Sequence, residues 1–90
     1  MGTLVIDAIV AWDLEDDPLG NVHHIVEHGL TIEEVEEVLL NEDNPVGKSR
    51  SSGRPITSGM TTTGKQIVVI WEEALDNPLI IRPVTAYEVG

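Results

Sequence analysis

The spacing of apolar residues changes twice along this chain, and that succession limits the folds open to it. From Thr3 to Asp13 the pattern alternates: Leu4, Ile6, Ala8, Val10 and Trp12 share one parity, while Asp7 and Asp13 fall on the other. A period of two with β-branched residues predicts a strand. From residue 16 to residue 40 the spacing becomes helical, and from residue 55 strand patterns return. Ile56, Ser58 and Met60 alternate against Thr57 and Gly59, and "QIVVIWE" is a continuous apolar run of the kind a central strand carries. "LIIRPVTAYEV" supplies a last strand, in which Pro83 calls for an edge position or a bulge. The expected order is β, α, α, then an antiparallel β-meander. That is an α+β fold with two short helices packed on one face of a sheet.

The helical stretch divides in two. In "EDDPLGNVHHIVEHGL", Asp16 or Asp17 can cap a helix and Pro18 suits its first turn. Leu19, Val22, Ile25 and Val26 form its apolar stripe, and Gly29 can take the left-handed conformation that stops it. "TIEEVEEVLL" restarts at once. Thr31 and Glu34 have the spacing of a capping box, and Ile32, Val35, Val38 and Leu39 make the buried face. Glu33, Glu36 and Glu37 are expected to point into solvent. "NEDNPVGKSRSSG" reads as loop with room for a short strand, and "TTGK" as a hairpin turn.

Ninety residues make one domain, residues 1–90. Its only aromatic residues are Trp12, Trp71 and Tyr87, so the core must be built from Val, Ile and Leu. The absence of cysteine excludes disulfides and thiolate metal sites and suits a cytoplasmic setting. The opening "TLVIDAIVAW" is too short to span a membrane, and Asp7 interrupts it, against a signal peptide.

Charge divides the chain. Residues 1–47 hold 12 acidic side chains and no Lys or Arg, whereas residues 48–90 hold 5 basic and 4 acidic ones. The formal net charge of −11 repels phosphate backbones at long range, so a nucleic-acid role needs a local basic face. Three of the five cations lie in "KSRSSGR", Lys48 to Arg54. There Lys48, Arg50, Ser51 and Ser52 can offer charge, hydroxyls and N–H groups to an anion or RNA, with Gly53 adding a further N–H. Solvated charge that offsets the surrounding acid accounts for the same composition.

Other motifs are weaker. "GMTTTGK", Gly59 to Lys65, has P-loop spacing, but Gln66 stands where the metal-binding Ser or Thr belongs, and a strand pattern follows where a helix is required. His24 and His28 lie four apart without an obvious third ligand, so no metal or cofactor is expected. His28 suits the C-terminal end of its helix.

In order, the chain presents "WD" at 12–13, a helix closing in "HGL" at 28–30, the Thr-capped "TIEEVEEVL", a Pro-containing loop, "RPITSGMTTTGKQIVVIWEE" and "IIRPVTAYE". This combination resembles the BrnT-type toxins of bacterial type II toxin–antitoxin pairs, small RelE-like ribonucleases neutralised by a partner antitoxin. The resemblance runs from about Ala11 to Glu88. It implies a RelE-like fold and metal-independent RNA cleavage, in which a base deprotonates the 2′-OH and cations stabilise the pentavalent phosphate. It assigns phosphate contacts to Arg54 and Arg82, and proton transfer to Tyr87 or His28. The alternative is a non-catalytic relative that binds protein through its acidic helical hairpin. Its partner would be an antitoxin or another basic protein, met by an apolar patch rimmed with carboxylates.

Overall fold

The computed structural model describes residues 8–50, 52–76 and 78–89. Its elements run β1 (Ile9–Val10), α1 (Asn21–Glu27), α2 (Ile32–Leu39), β2 (Val46–Lys48), β3 (Pro55–Met60), β4 (Gln66–Leu75) and β5 (Ile80–Glu88). The strands form one sheet in the order β1-β5-β4-β3-β2, so the apolar run of β4 is central, as its composition predicts. Strands β2 to β5 are an antiparallel meander, while β1 runs parallel to β5, which makes the sheet mixed. The fold is α+β. Of the strand expected over Thr3–Asp13, residues 1–7 lie outside the described residues.

Both helices cover one face. Ile25, Leu30, Val35, Val38 and Leu39 pack against Ile67, Val69, Trp71, Ile81 and Ala86 in a single core. The alternate side chains of β3, β4 and β5 look away from the helices and form an open face.

Helix α2 begins as its sequence indicates. Thr31 Oγ1 accepts the Glu34 N–H at 3.1 Å, and Glu34 Oε1 accepts the Thr31 N–H at 3.0 Å. Gly29 closes α1 at φ +78°, a conformation a side chain would strain. The start of α1 departs from expectation. Gly20, not Asp16 or Asp17, is its N-cap, and no side chain caps it. Asp17 instead accepts the Leu19 N–H at 3.0 Å, folding residues 14–20 into turns that compete with a helix. Leu19 and Val26, expected in the buried stripe, are 83% and 60% exposed. The outward Glu row is also corrected. Glu36 accepts the Trp12 Nε1–H at 2.8 Å, and both Glu37 oxygens receive the Thr62 N–H, so the two carboxylates bind neighbouring elements.

Strand β5 carries a bulge. Ile70 opposes Thr85 while Trp71 opposes Pro83, which leaves Val84 extra. The Pro83 carbonyl accepts Asn21 Nδ2 at 2.9 Å on the flank where β1 has ended, so the N–H that proline lacks is not needed there.

Candidate functional site

The bulge at Val84 decides which β5 side chains share the open face. Arg82 lies opposite Glu72, Thr85 opposite Ile70 and Tyr87 opposite Val68. An unbroken strand would place Arg82 and Tyr87 on opposite faces. With the bulge, both look away from the helices.

Arg54 and Arg82 converge on this face. Arg82 Nη1 is 3.5 Å from Glu72 Oε1, and Arg54 Nε is 3.8 Å from Glu72 Oε2. Arg82 Nη2 also donates to Asp13 Oδ2 at 2.6 Å. Asp13 is held in turn by Asn21: its Oδ2 accepts the Asn21 N–H at 2.9 Å, and its own N–H donates to Asn21 Oδ1 at 2.8 Å. The Asn21 N–H, and after it the Arg82 guanidinium, keep the Asp13 carboxyl below its ordinary range, with His24 acting in the same direction. Two guanidinium groups thus face two carboxylates, and the local charge nearly cancels.

The proton-transfer candidates lie elsewhere. Tyr87 is four residues along β4 from the Arg82 rung, about 13 Å at strand rise. His28 is the C-cap of α1, in the helical layer on the far side of the sheet. The structure therefore brings Arg54 and Arg82 together but sets neither Tyr87 nor His28 beside them.

The cationic loop is folded on itself. Ser49 N–H donates to the Arg54 carbonyl at 2.7 Å, Gly53 N–H donates to the Ser49 carbonyl at 2.8 Å, and Ser52 Oγ accepts the Arg54 N–H at 3.3 Å. The Gly53 donor expected for an anion is already engaged within the turn. Lys48 on β2 and Arg50 on the turn are exposed, and Ser51 lies outside the described residues. Lys65 of the P-loop look-alike donates from Nζ to the Gly29 carbonyl at 3.0 Å and pairs with Glu34, a structural role.

A second site lies in the helical layer. Val22, Val26, Leu30 and Ile32 line a groove of about 580 Å³ between α1 and α2, with Glu15, His23 and Glu33 around it. His23 Nδ1 stands 3.0 Å from Glu27, the next acidic side chain along α1. Period counting assigns Val22 and Val26 to the core; Val22 is buried as expected and its side chain meets the floor of the groove, whereas Val26 is exposed at the groove's side.

Among the described residues no helix is long and apolar enough to cross a membrane, and no group of three His, Asp or Glu side chains is placed to hold a metal ion. No protein-family model, curated protein or solved structure matches the chain.

Proposed function

We propose that this chain is a non-catalytic relative of the BrnT-type toxins, acting as a protein-binding module through its acidic helical hairpin. The groove between α1 and α2 is the observation that carries this reading: an apolar floor, open to solvent, with carboxylates at its rim. Its occupant is a basic amphipathic segment of a partner protein. An apolar side chain fills the space over Val22 and Val26, and flanking Lys or Arg meet Glu15, Glu27 and Glu33. The charge distribution favours such a partner, since every Lys and Arg of the chain lies outside residues 1–47. A Cys-free chain suits a cytoplasmic setting for this encounter.

The test separates the groove from simple attraction between opposite charges. The probe is a labelled amphipathic peptide patterned from Lys and Leu, followed by fluorescence anisotropy. Val26→Asp adds a negative charge to a chain already at −11 and removes part of the apolar floor. Binding in the groove weakens by about tenfold or more in this variant. Binding by charge alone strengthens, and that result would overturn the reading. Val26 is largely exposed, so the variant keeps the fold.

The ribonuclease reading rests on the shared row of Arg54 and Arg82. RNA cleavage in EDTA that falls about tenfold or more in both Arg54→Ala and Arg82→Ala would establish it instead.

A further inference from the structure

Strand β2 closes one side of the sheet, with β3 on its inner edge and, among the described residues, no strand on its outer one. The pairing with β3 fixes which backbone groups face outward. Ser49 N–H donates to the Arg54 carbonyl, and bonded pairs alternate along an antiparallel ladder. Gly47 therefore bonds to Ile56, while Lys48 lies opposite Pro55, which has no N–H to give. The N–H and C=O groups of Val46 and Lys48 point out of the sheet. Pro45 shares the parity of Gly47, so the proline removes no outward donor. The whole strand is exposed, and the charges around it are sorted. Glu42 and Asp43 precede it, and Lys48 and Arg50 stand at its far end. Among the described residues none of these four forms an ion pair. The acidic end is held in place: Asp43 N–H donates to Asn41 Oδ1 at 2.9 Å, and Asn44 Nδ2 ties the turn to the Val38 carbonyl.

We propose that β2 is a dimerisation edge whose occupant is the β2 strand of a second copy of this chain, antiparallel about a two-fold axis at Gly47. The outward groups of Val46 then pair with those of Lys48 in the other copy, and the reverse, which joins the two sheets into one. Gly47 meets its own counterpart, where the missing side chain permits close approach. Charge selects this occupant. Antiparallel pairing lays the acidic turn of each copy beside Lys48 and Arg50 of the other. A uniformly basic segment would meet Lys48 and Arg50, and a uniformly acidic one would meet Glu42 and Asp43. A segment that is acidic before the strand and basic at its end matches both, and β2 itself has that order. The net charge of −11 on each copy opposes the encounter at long range and keeps it weak. The edge does not depend on the protein-binding reading of the groove.

The experiment is sedimentation of the whole chain up to about 1 mM, at roughly 0.15 M salt, where the Debye length of about 8 Å screens the distant carboxylates. Wild type is expected to shift from monomer to dimer across this range. Val46→Pro removes an outward N–H that β3 does not use and should weaken the dimer by about tenfold or more. A charge exchange tests the same edge without touching the backbone. Lys48→Glu/Arg50→Glu leaves the segment acidic at both ends, and Glu42→Lys/Asp43→Lys leaves it basic at both. Each variant should self-associate less than wild type, and a mixture of the two should associate about tenfold more tightly than either alone. Net charge alone predicts a different order, in which the less acidic Lys variant associates best with itself. A chain that stays monomeric throughout would leave the edge to another partner and overturn the proposal. So would a dimer indifferent to Val46→Pro, or a mixture no tighter than its components.

Discussion

Glu34 shows how one residue ties the hairpin to the sheet. It caps α2 through Thr31, accepts Thr63 Oγ1–H at 2.7 Å, and lies 3.1 Å from Lys65 Nζ, although Glu34 itself is buried. The Thr63 hydrogen bond is the main cause that holds its carboxyl below 4.5, with Lys65 and the Thr31 N–H adding to it against the cost of burial. A depressed carboxyl stabilises the fold above its unfolded pKa, and that stability is lost as pH falls through the folded value. Glu34→Gln should therefore destabilise the protein by about 1–3 kcal/mol at neutral pH, because Lys65 and the cap lose a charged acceptor. It should also flatten the fall in stability below pH 4.5. Urea denaturation of both proteins across acid pH checks the two effects together, and parallel pH curves would remove Glu34 from this role. The capping box is plain from Thr31 and Glu34 alone. Thr63 and Lys65 are 29 and 31 residues away, and only the pairing of the sheet brings them in.

At the level of elements, the regular patterns were readable and the irregular joints were not. The central strand, the turn before Gln66 and the break at Gly29 all follow from local chemistry. The start of α1 does not, because Asp17 satisfies its own turn and Asn21 is claimed by Asp13, Ala11 and Pro83. Nor does the Val84 bulge, which re-aims Arg82 relative to Tyr87 by one residue, a shift that parity cannot anticipate. A third joint lies between α2 and β3. Asn44 Nδ2 donates to the Val38 carbonyl at 2.8 Å near the end of α2, and a Cβ at Gly59 would run into the Asn44 side chain. Gly59→Ala should cost about 1–3 kcal/mol, since either Asn44 leaves its carbonyl or the strand shifts. Gly47→Ala is the matched comparison. There a Cβ meets only Ile56, at 3.6 Å, so the change should be neutral or stabilising by about 0.5 kcal/mol. Equal effects at the two positions in urea denaturation would show that the Asn44 contact is not what requires glycine at 59.

For the whole molecule, charge and fold pull in different directions. Sixteen carboxylates against five cations repel one another across a domain this small. Among the described residues the attractive pairs are few, and those of Arg54 and Arg82 with Glu72 are long and partly exposed, so their contribution is small. Lys65 and Glu34 are more sheltered and lose less to screening. Raising NaCl from roughly 10 mM to roughly 200 mM shortens the Debye length from about 30 Å to about 7 Å, which weakens the distant repulsions more than the close pairs. The melting temperature should rise by roughly 4–8 °C, the shift that about 1 kcal/mol makes in a domain of this size. Salt acts oppositely on a basic partner in the groove, because the attraction across the interface is screened as well. One titration therefore gives two slopes of opposite sign: stability rises and peptide affinity falls. A melting temperature that drops with salt would mean that local ion pairs outweigh the net repulsion. Affinity that is indifferent to salt would mean that the apolar floor, without its acidic rim, selects the partner.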